Sequence, residues 1–196
     1  MKAMGEIISH YSSPLGKITL AGEGEYLTGL WFENQKYFAA TLSGEAQEGD
    51  LPVLEKTKTW LDCYFQGLDP GKAPPLRPSG SPFRLAVWEI LRRIPRGRVV
   101  SYGWIAAELA RKSGGMRSSA RAVGGAVGHN PISILIPCHR VIGSGGNLTG
   151  YAGGIERKIH LLALEGVDPE NLHRQVLPMR HGRAMESRWS GVPERR

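Results

Sequence analysis

The sequence predicts an α+β fold: a small antiparallel sheet with a helix, followed by a mostly helical part that contains a helix-turn-helix. Three observations support this prediction. Residues 6–32 alternate apolar and polar side chains, later segments repeat apolar residues at helical spacing, and a proline-rich stretch lies between the two parts. The length of 196 residues suits one domain of ordinary size or two small ones.

The first part combines strand signals with one helix signal. Turn clusters at residues 12–14 and 22–24 divide the alternating region into three short runs, which predicts a three-stranded antiparallel meander. Residues 53–65 place apolar side chains at the 3.6-residue period of an amphipathic helix, which should cover the sheet. Residues 69–82 hold five prolines and two glycines, so they are expected to form an extended linker.

In the second part, serine residues that can cap a helix precede the first three predicted helices. Ser81 is followed by a proline that suits the first helical turn, Ser101 precedes the next helical segment, and Ser118 or Ser119 can cap the third. Helices are predicted over residues 83–94, 102–110, 120–128 and 155–164. The second and third of these outline a helix-turn-helix. We therefore expect domains over 1–78 and 79–170, followed by a basic tail over 171–196.

Composition excludes several classes of protein. The chain is 41% hydrophobic, and no apolar run approaches the roughly 20 residues of a membrane-spanning helix. Residues 1–13 lack the apolar core of a secretory signal, so we expect an intracellular protein, cytoplasmic, or nuclear in a eukaryote. Two cysteines, Cys63 and Cys138, are too few for a disulfide scaffold or a cysteine-rich zinc site. No metal and no cofactor are expected.

Charge is unevenly distributed along the chain. Residues 1–78 carry 7 basic and 10 acidic side chains, whereas residues 79–196 carry 18 basic and 8 acidic ones. A basic second part favours a polyanionic partner, nucleic acid first and an anionic membrane surface second. A solvated surface that is basic without a partner is the alternative.

A thiol and an imidazole are neighbours in the second part. Pro137 ends the apolar run over residues 132–136, and Cys138 and His139 follow it directly. Consecutive side chains of a regular strand point to opposite faces, so the two can cooperate only if the proline bends the backbone. A free thiol is only a few per cent thiolate at pH 7, and an adjacent base raises that fraction. Alone, such a dipeptide is more often structural than catalytic.

The surrounding residues change this interpretation. The run over 134–142, ILIPCHRVI, closely resembles the active-site motif of the O6-alkylguanine-DNA alkyltransferases. Other segments also resemble the pattern of this family; they are residues 13–16, 31–32, 101–103, 121–126, 130–131, 150–154 and 162–166. The resemblance extends from about residue 6 to residue 166.

The resemblance implies direct-reversal DNA repair by a suicide enzyme. The alkyl group of O6-alkylguanine, and of O4-alkylthymine, would pass irreversibly to Cys138 after the base is flipped out from the minor-groove side. The implied partner is double-stranded DNA that contains alkylated guanine, and no membrane. The protein is expected to act as a monomer.

The resemblance also implies roles for individual residues. Cys138 would accept the alkyl group, and His139 would act as the base through a water held by Glu165. Tyr102 would supply a proton or hydrogen bond to the leaving guanine. Residues implied to line or support the pocket are Asn130, Val141, Tyr151, Ala152, Gly153 and Lys158. For Lys158, a solvated charge on a helix face is the alternative.

DNA contacts are expected from the second helix of the helix-turn-helix. Arg121 would fill the gap left by the flipped base, and the small residues after it would let the helix sit deep in the groove. The implied DNA-binding residues are Arg121, Ala122, Gly124, Gly125 and Arg140. Candidate phosphate contacts are Arg92, Arg93, Arg96, Arg98, Arg111, Lys112 and Arg117.

Two departures from the family pattern and two rival functions remain. The loop over 111–117 is longer than usual, and residues 171–196 extend past the shared region with six arginines and two glutamates, which favours a disordered end. A non-catalytic damage sensor of this family carries another residue in place of the cysteine, so Cys138 argues against it. A transcription factor or architectural protein would need the basic part but not the set of Cys138, His139, Glu165 and Tyr102.

Overall fold

The computed structural model describes residues 5–42, 44, 46–114 and 118–178, and the first of these ranges forms most of a sheet. Strands β1 (Ile7–Ser13), β2 (Gly16–Glu23) and β3 (Tyr26–Phe32) pair antiparallel as a meander, as predicted. A two-residue strand, β4 (Gln47–Glu48), pairs parallel with β1 at the edge. The sheet order is β3-β2-β1-β4.

Helix α1 (Pro52–Phe65) covers one face of this sheet. Its buried residues Val53, Leu54 and Leu61 recur at helical spacing and join Leu20 and Leu30 of the strands in one core. Pro52 stands at the first helical turn, where its missing N–H costs no hydrogen bond. The predicted amphipathic helix is thus present within one residue of its expected start.

The described residues of the second part form four α-helices: α2 (Pro82–Leu91), α3 (Tyr102–Lys112), α4 (Ala120–Gly128) and α5 (Ile155–Leu164). The hydroxyl groups of Ser81, Ser101 and Ser119 each accept a hydrogen bond from the backbone N–H three residues later. These caps satisfy helix N–H groups that lack an intrahelical partner, which is why the helices begin where the sequence predicts. Of the two serines considered for α4, Ser119 is the cap.

Helices α3 and α4 stand at the positions of the predicted helix-turn-helix, and a buried hydrogen bond joins α4 to α2. The indole Nε1 of Trp88 donates to the backbone oxygen of Ala126 over 2.9 Å, which ties α2 to α4. Gly124 faces α3, since a Cβ added there would lie 3.7 Å from the Tyr102 ring, whereas Gly125 meets open space. A Cβ at Gly124 would make an ordinary van der Waals contact, so packing on α3 does not require glycine there, and Gly125 lies on the outer face of α4.

The two parts meet along the outer edge of β3. In the linker, Pro75 accepts a backbone hydrogen bond from Leu27 over 2.8 Å. Further along the same edge, Leu30 donates to Pro131 over 2.9 Å and accepts from Ser133 over 2.9 Å. The linker and residues 131–133 thus extend the sheet, and side chains of both parts share one hydrophobic core. A domain boundary near residue 78 stays a prediction.

Residues 171–178 pack on the body of the chain. Leu172 is 3% exposed in a small cluster with Val99, and Val99 exchanges backbone hydrogen bonds with Gln175 and Leu177. The Trp104 indole donates to the backbone oxygen of Pro178 over 3.0 Å. The expectation of a disordered end is therefore wrong for residues 171–178, while residues 179–196 lie outside the described residues.

Two further expectations concern membrane-spanning helices and the loop after α3. Within the described ranges, no helix is long and apolar enough to cross a membrane. The long loop after α3 falls partly on residues 115–117, which lie outside the described residues.

Candidate active site

The segment that carries the thiol is a tight turn. Residues 132–136 form no regular strand, and Ile134 adopts a left-handed conformation with φ of 67°. For a β-branched residue this conformation costs about 1–3 kcal/mol, which the surrounding structure must offset. After Pro137, a 3-10 turn over Cys138–Arg140 places Cys138 and His139 in the interior together. The backbone bends at Pro137, as cooperation between the two side chains requires.

Asn130 holds this turn from inside. Its Oδ1 accepts the Ile132 N–H over 3.0 Å, and its Nδ2 donates to the Ile136 oxygen over 2.8 Å. The same Nδ2 lies 3.0 Å from Cys138 Sγ. Asn130 is itself buried, so one amide joins both ends of the turn to the sulfur.

The electrostatic surroundings of Cys138 keep it a thiol. The side chain is 3% exposed, and this burial raises its pKa above the ordinary value, although Asn130 and Lys158 lower it in part. A buried protonated thiol is a weak nucleophile, so any reaction of this sulfur at neutral pH needs a base within reach.

Glu165 lies behind the turn and accepts four hydrogen bonds. Oε1 accepts from His139 Nε2 over 2.8 Å, from the Tyr64 hydroxyl over 2.7 Å and from Arg140 Nη2 over 2.9 Å. Oε2 accepts from Arg140 Nε over 2.7 Å. Burial alone would raise the pKa of Glu165, but the opposing effects of His139 and Arg140 are larger together and hold it well below its usual range. The carboxylate is therefore ionised at neutral pH.

An ionised Glu165 determines which nitrogen of His139 carries hydrogen. A carboxylate can only accept, so Nε2 of the imidazole must donate. Burial lowers the pKa of His139, and Arg140 and Lys158 lower it too, against the opposing effect of Glu165. The ring is therefore neutral at pH 7, with a bare Nδ1 that is buried and has no hydrogen-bond partner among the described residues.

Glu165 contacts the imidazole of His139 directly, and Arg140 binds both of its oxygens. That Glu165 also holds a water, as the resemblance implied, stays a prediction. Glu165 therefore orients His139, and Nδ1 is the atom that can take a proton from a thiol, directly or through a water.

Lys158 lies in the interior and interacts electrostatically with the thiol. Its Nζ donates to the Val141 oxygen over 2.5 Å and to the Thr149 oxygen over 2.8 Å. The side chain is 0% exposed, and burial lowers its pKa to about 8, with Cys138 opposing. It therefore joins strand β6 (Val141–Ile142) to the glycine-rich segment, and the alternative of a solvated charge is excluded.

Two phenols and a glycine-rich segment lie near the thiol. Burial, with the nearby thiol, raises the pKa of Tyr102 and that of Tyr151, so both keep their protons at neutral pH. A Cβ on Gly153 would lie 2.7 Å from the Tyr151 ring, so this position requires glycine. The backbone oxygen of Ala152 accepts a hydrogen bond from Lys36 over 2.9 Å.

Strand β6 is itself part of a contact that was not predicted. It pairs parallel with β5 (Val100–Ser101), which leads directly into α3. The pairing places Tyr102, the first residue of α3, near the residues that follow Cys138. Strands of two residues leave no readable alternation in a sequence, so the pattern could not show them.

The outer face of α4 is separate from the buried site. Arg121, Ala122 and Gly125 are exposed there, and a Cβ at Gly125 would have no heavy atom within 4 Å. The helix thus presents a cation at its start and little side-chain bulk after it.

Several basic residues named as candidate DNA contacts have partners within the protein. Arg140 binds Glu165 and the Ile94 oxygen, so its position favours a structural role over the expected DNA contact. Arg96 donates to three backbone oxygens, those of Gly67, Leu68 and Leu164. Other pairs among these candidates are Arg92–Glu89, Arg93–Glu89 and Arg111–Glu108.

The sequence interpretation missed Tyr64. Tyr64 lies within the amphipathic helix predicted over residues 53–65, and its hydroxyl reaches Glu165 in the second part of the chain. A buried tyrosine usually finds a partner for its hydroxyl, so the signal was present but named no partner. Within the described residues, no group of three or more His, Cys, Asp or Glu side chains could hold a metal ion.

Comparisons with known proteins match most of the chain. The model of the 6-O-methylguanine DNA methyltransferase ribonuclease-like domain matches residues 7–70, and that of the DNA binding domain matches residues 82–167. The methylated-DNA--protein-cysteine methyltransferase of Haemophilus influenzae is 39% identical over 160 residues, which cover 81% of this chain and 86% of the relative. The Mycobacterium tuberculosis relative of the same name is 43% identical over 159 residues, which cover 80% of this chain and 92% of the relative.

Solved structures show the same fold. The crystal structure of Mycobacterium tuberculosis OGT in complex with DNA has a TM-score of 0.70 at 39% identity, covering 85% of this chain and 99% of that one. The structure of Mycobacterium tuberculosis O6-methylguanine methyltransferase gives 0.71 at 40% identity, covering 86% and 98%.

We predict that Asn130→Ala destabilises the turn and makes the thiol less acidic. Loss of the amide leaves the buried N–H of Ile132 unpaired, which costs about 1–3 kcal/mol, whereas the Ile136 oxygen keeps its bond from the Cys138 N–H. Because Asn130 lowers the pKa of Cys138, its removal should move the pH dependence of iodoacetamide labelling to higher pH. Labelling should be followed in a Cys63→Ala background.

The matched control is Asn147→Ala, which removes an exposed amide that donates to the Ser144 oxygen over 3.3 Å. This variant should leave both unfolding and labelling unchanged. An unchanged labelling profile in Asn130→Ala would contradict the assigned effect of Asn130 on the thiol.

Proposed function

This chain belongs to the 6-O-methylguanine DNA methyltransferase family, and on that premise we propose that it repairs alkylated DNA by direct reversal. The alkyl group of O6-alkylguanine, and of O4-alkylthymine, passes irreversibly to Cys138. One observation carries the proposal: a buried thiol stands beside a neutral imidazole that an ionised Glu165 orients. A DNA-binding protein without this chemistry has no use for such a relay.

The chemistry follows from the protonation states. Nδ1 of His139 accepts the thiol proton, directly or through one water, and the developing charge on the ring is stabilised by Glu165. The sulfur of Cys138 forms a bond to the alkyl carbon while the bond from that carbon to the base oxygen breaks. The electron pair of the broken bond stays on the oxygen of the nucleobase, which is the leaving group. The product is a thioether, a very poor leaving group, so each molecule reacts once.

Tyr102 and Lys158 support this step through their charges and hydrogen bonds. The phenol of Tyr102, kept protonated by its raised pKa, donates a hydrogen bond to the base as negative charge develops on it. The charge on Lys158 favours the thiolate form of Cys138. Its two backbone contacts hold Val141 and the segment that includes Tyr151, Ala152 and Gly153 around the base.

The buried position of the thiol requires that the base leave the duplex. A base stacked inside DNA cannot reach a side chain that is 3% exposed, so the nucleotide is flipped out. The outer face of α4 suits entry into a narrow minor groove, because Ala122 and Gly125 add little bulk. Arg121, exposed at the start of this helix, fills the vacated place in the stack.

The remaining attributes of the proposal follow from this chemistry. The protein acts as a monomer on double-stranded DNA. It needs no cofactor, since Cys138 accepts the alkyl group and His139 accepts the proton. A substrate of this kind places the activity where the DNA is, in bacterial cytoplasm or a eukaryotic nucleus.

Intact mass measurement tests the assignment of the acceptor. After incubation with an oligonucleotide that contains O6-methylguanine, the protein should gain one methyl group at 1:1 stoichiometry. Cys138→Ala should gain none yet bind DNA nearly as well, because the thiol is no docking group. Cys63→Ala, the matched control, should react like the unmodified protein. Multiple turnovers, or methylation of Cys63, would refute the proposal.

A second measurement separates base flipping from chemistry. Arg121→Lys keeps the charge but lacks the planar guanidinium, so repair of duplex DNA should slow by about tenfold or more while reaction with free O6-alkylguanine changes little. Arg93→Lys, at a position paired with Glu89, serves as the control. Equal losses on both substrates would instead place Arg121 in the chemical step.

A further inference from the structure

The first part of the chain reaches the active site through one hydroxyl group. Tyr64 of α1 donates to Oε1 of Glu165 over 2.7 Å, and the same oxygen accepts from Nε2 of His139 over 2.8 Å. These residues lie 101 and 75 positions apart from Tyr64, so only the fold brings them together. Arg140 Nη2 donates to this oxygen as well, so three donors compete for its electron density and each weakens the bonds of the others.

The packing around Tyr64 fixes its hydroxyl. The side chain is 2% exposed, stacks on Trp60 with ring centroids 5.3 Å apart, and meets the edge of Phe65 at 5.5 Å. The Arg96 guanidinium lies 5.7 Å from its ring centroid. Rings held in this way have little rotational freedom, so the hydroxyl points at Glu165 without further ordering.

We propose that Tyr64 is a positioning residue of the alkyl-transfer site: its hydroxyl fixes Oε1 of Glu165 and sets how strongly that oxygen binds the imidazole of His139. This inference rests on the proposed function. It gives the first part of the chain a direct share in the reaction, through the basicity of the residue that takes the proton from Cys138.

The direction of the effect follows from the charges around His139. The titratable groups around His139 and Glu165 are Tyr64 from α1, Arg140 and Cys138 from the 3-10 turn, Tyr151 from the glycine-rich segment, and Lys158 from α5. Arg140 and Lys158 disfavour the imidazolium, and Glu165 favours it. The Tyr64 hydrogen bond stabilises the carboxylate and weakens it as an acceptor. Removal of that bond therefore strengthens the hold of Glu165 on the imidazolium and raises the pKa of His139.

The test compares pH profiles of the alkyl-transfer rate in the full-length protein. In Tyr64→Phe, which keeps the stacked ring, the midpoint of the acid limb should move up by about 0.5–1 pH unit. The rate should fall severalfold below this midpoint and recover at higher pH. Tyr11→Phe is the matched control, because Tyr11 donates over 2.8 Å to Asp62 on the same helix, away from Glu165. Its profile should match that of the unmodified protein.

A second variant changes the donor without removing it. With 3,5-difluorotyrosine at position 64, the more acidic phenol is a stronger donor, so the midpoint should move down. A merely structural role for Tyr64 predicts rate losses in both variants with no shift of either midpoint. Identical midpoints in all proteins, or shifts of the same sign, would overturn the proposal.

A readout that does not require repair keeps this test separate from the proposed function. The titration of His139, followed by NMR of nitrogen-labelled protein without DNA, should show the same opposite shifts. Failure of the unmodified protein to accept an alkyl group refutes the proposed function, whereas coincident His139 titrations in an active protein refute only the inference about Tyr64.

Discussion

The buried ion pair between Glu165 and Arg140 is the contact on which the site depends. A carboxylate inside a protein is stable in its charged form only when its oxygens are fully hydrogen-bonded, and loss of one partner of such a pair costs about 3–5 kcal/mol. Here His139, Arg140 and Tyr64 supply the donors, from the active-site turn and from α1. The charge of Glu165 in turn fixes the hydrogen on Nε2 of His139 and leaves Nδ1 as an acceptor. One satisfied carboxylate therefore joins the two parts of the chain and prepares the base.

The rest of the site keeps the thiol buried without making it inert. Asn130 closes the turn around Cys138, and the strained backbone at Ile134 is held by backbone pairing of the neighbouring residues with β3. Lys158 places a positive charge beside the sulfur while its hydrogen bonds hold the adjacent backbone. Burial raises the pKa of the thiol, and these contacts lower it in part. The sulfur is thus activated by local partners rather than by exposure to solvent, and the substrate must come to it.

The sequence predicted those features that local physics determines. Alternation and turn residues located β1 to β3, and serine caps located the starts of α2, α3 and α4 within one residue, because both signals act over a few neighbouring positions. Resemblance to a family supplied Cys138, His139 and Glu165 as a set. Tyr64 could not be assigned, since its partner is 101 residues away and only the packed core sets their distance. For the same reason, the sequence did not show the contact of Arg140 with Glu165, and the expected DNA contact of Arg140 stays a prediction. The basic composition of residues 171–196 likewise gave no sign of the backbone hydrogen bonds that join Gln175 and Leu177 to Val99.

The state of His139 in the resting protein tests the central claim most directly. Nitrogen chemical shifts of the imidazole, recorded at pH 7 in the protein without DNA, distinguish its two neutral tautomers from the imidazolium. The account predicts a neutral ring with hydrogen on Nε2 and none on Nδ1. A ring that carries hydrogen on Nδ1, alone or as the imidazolium, would have no acceptor for the thiol proton and would contradict the account.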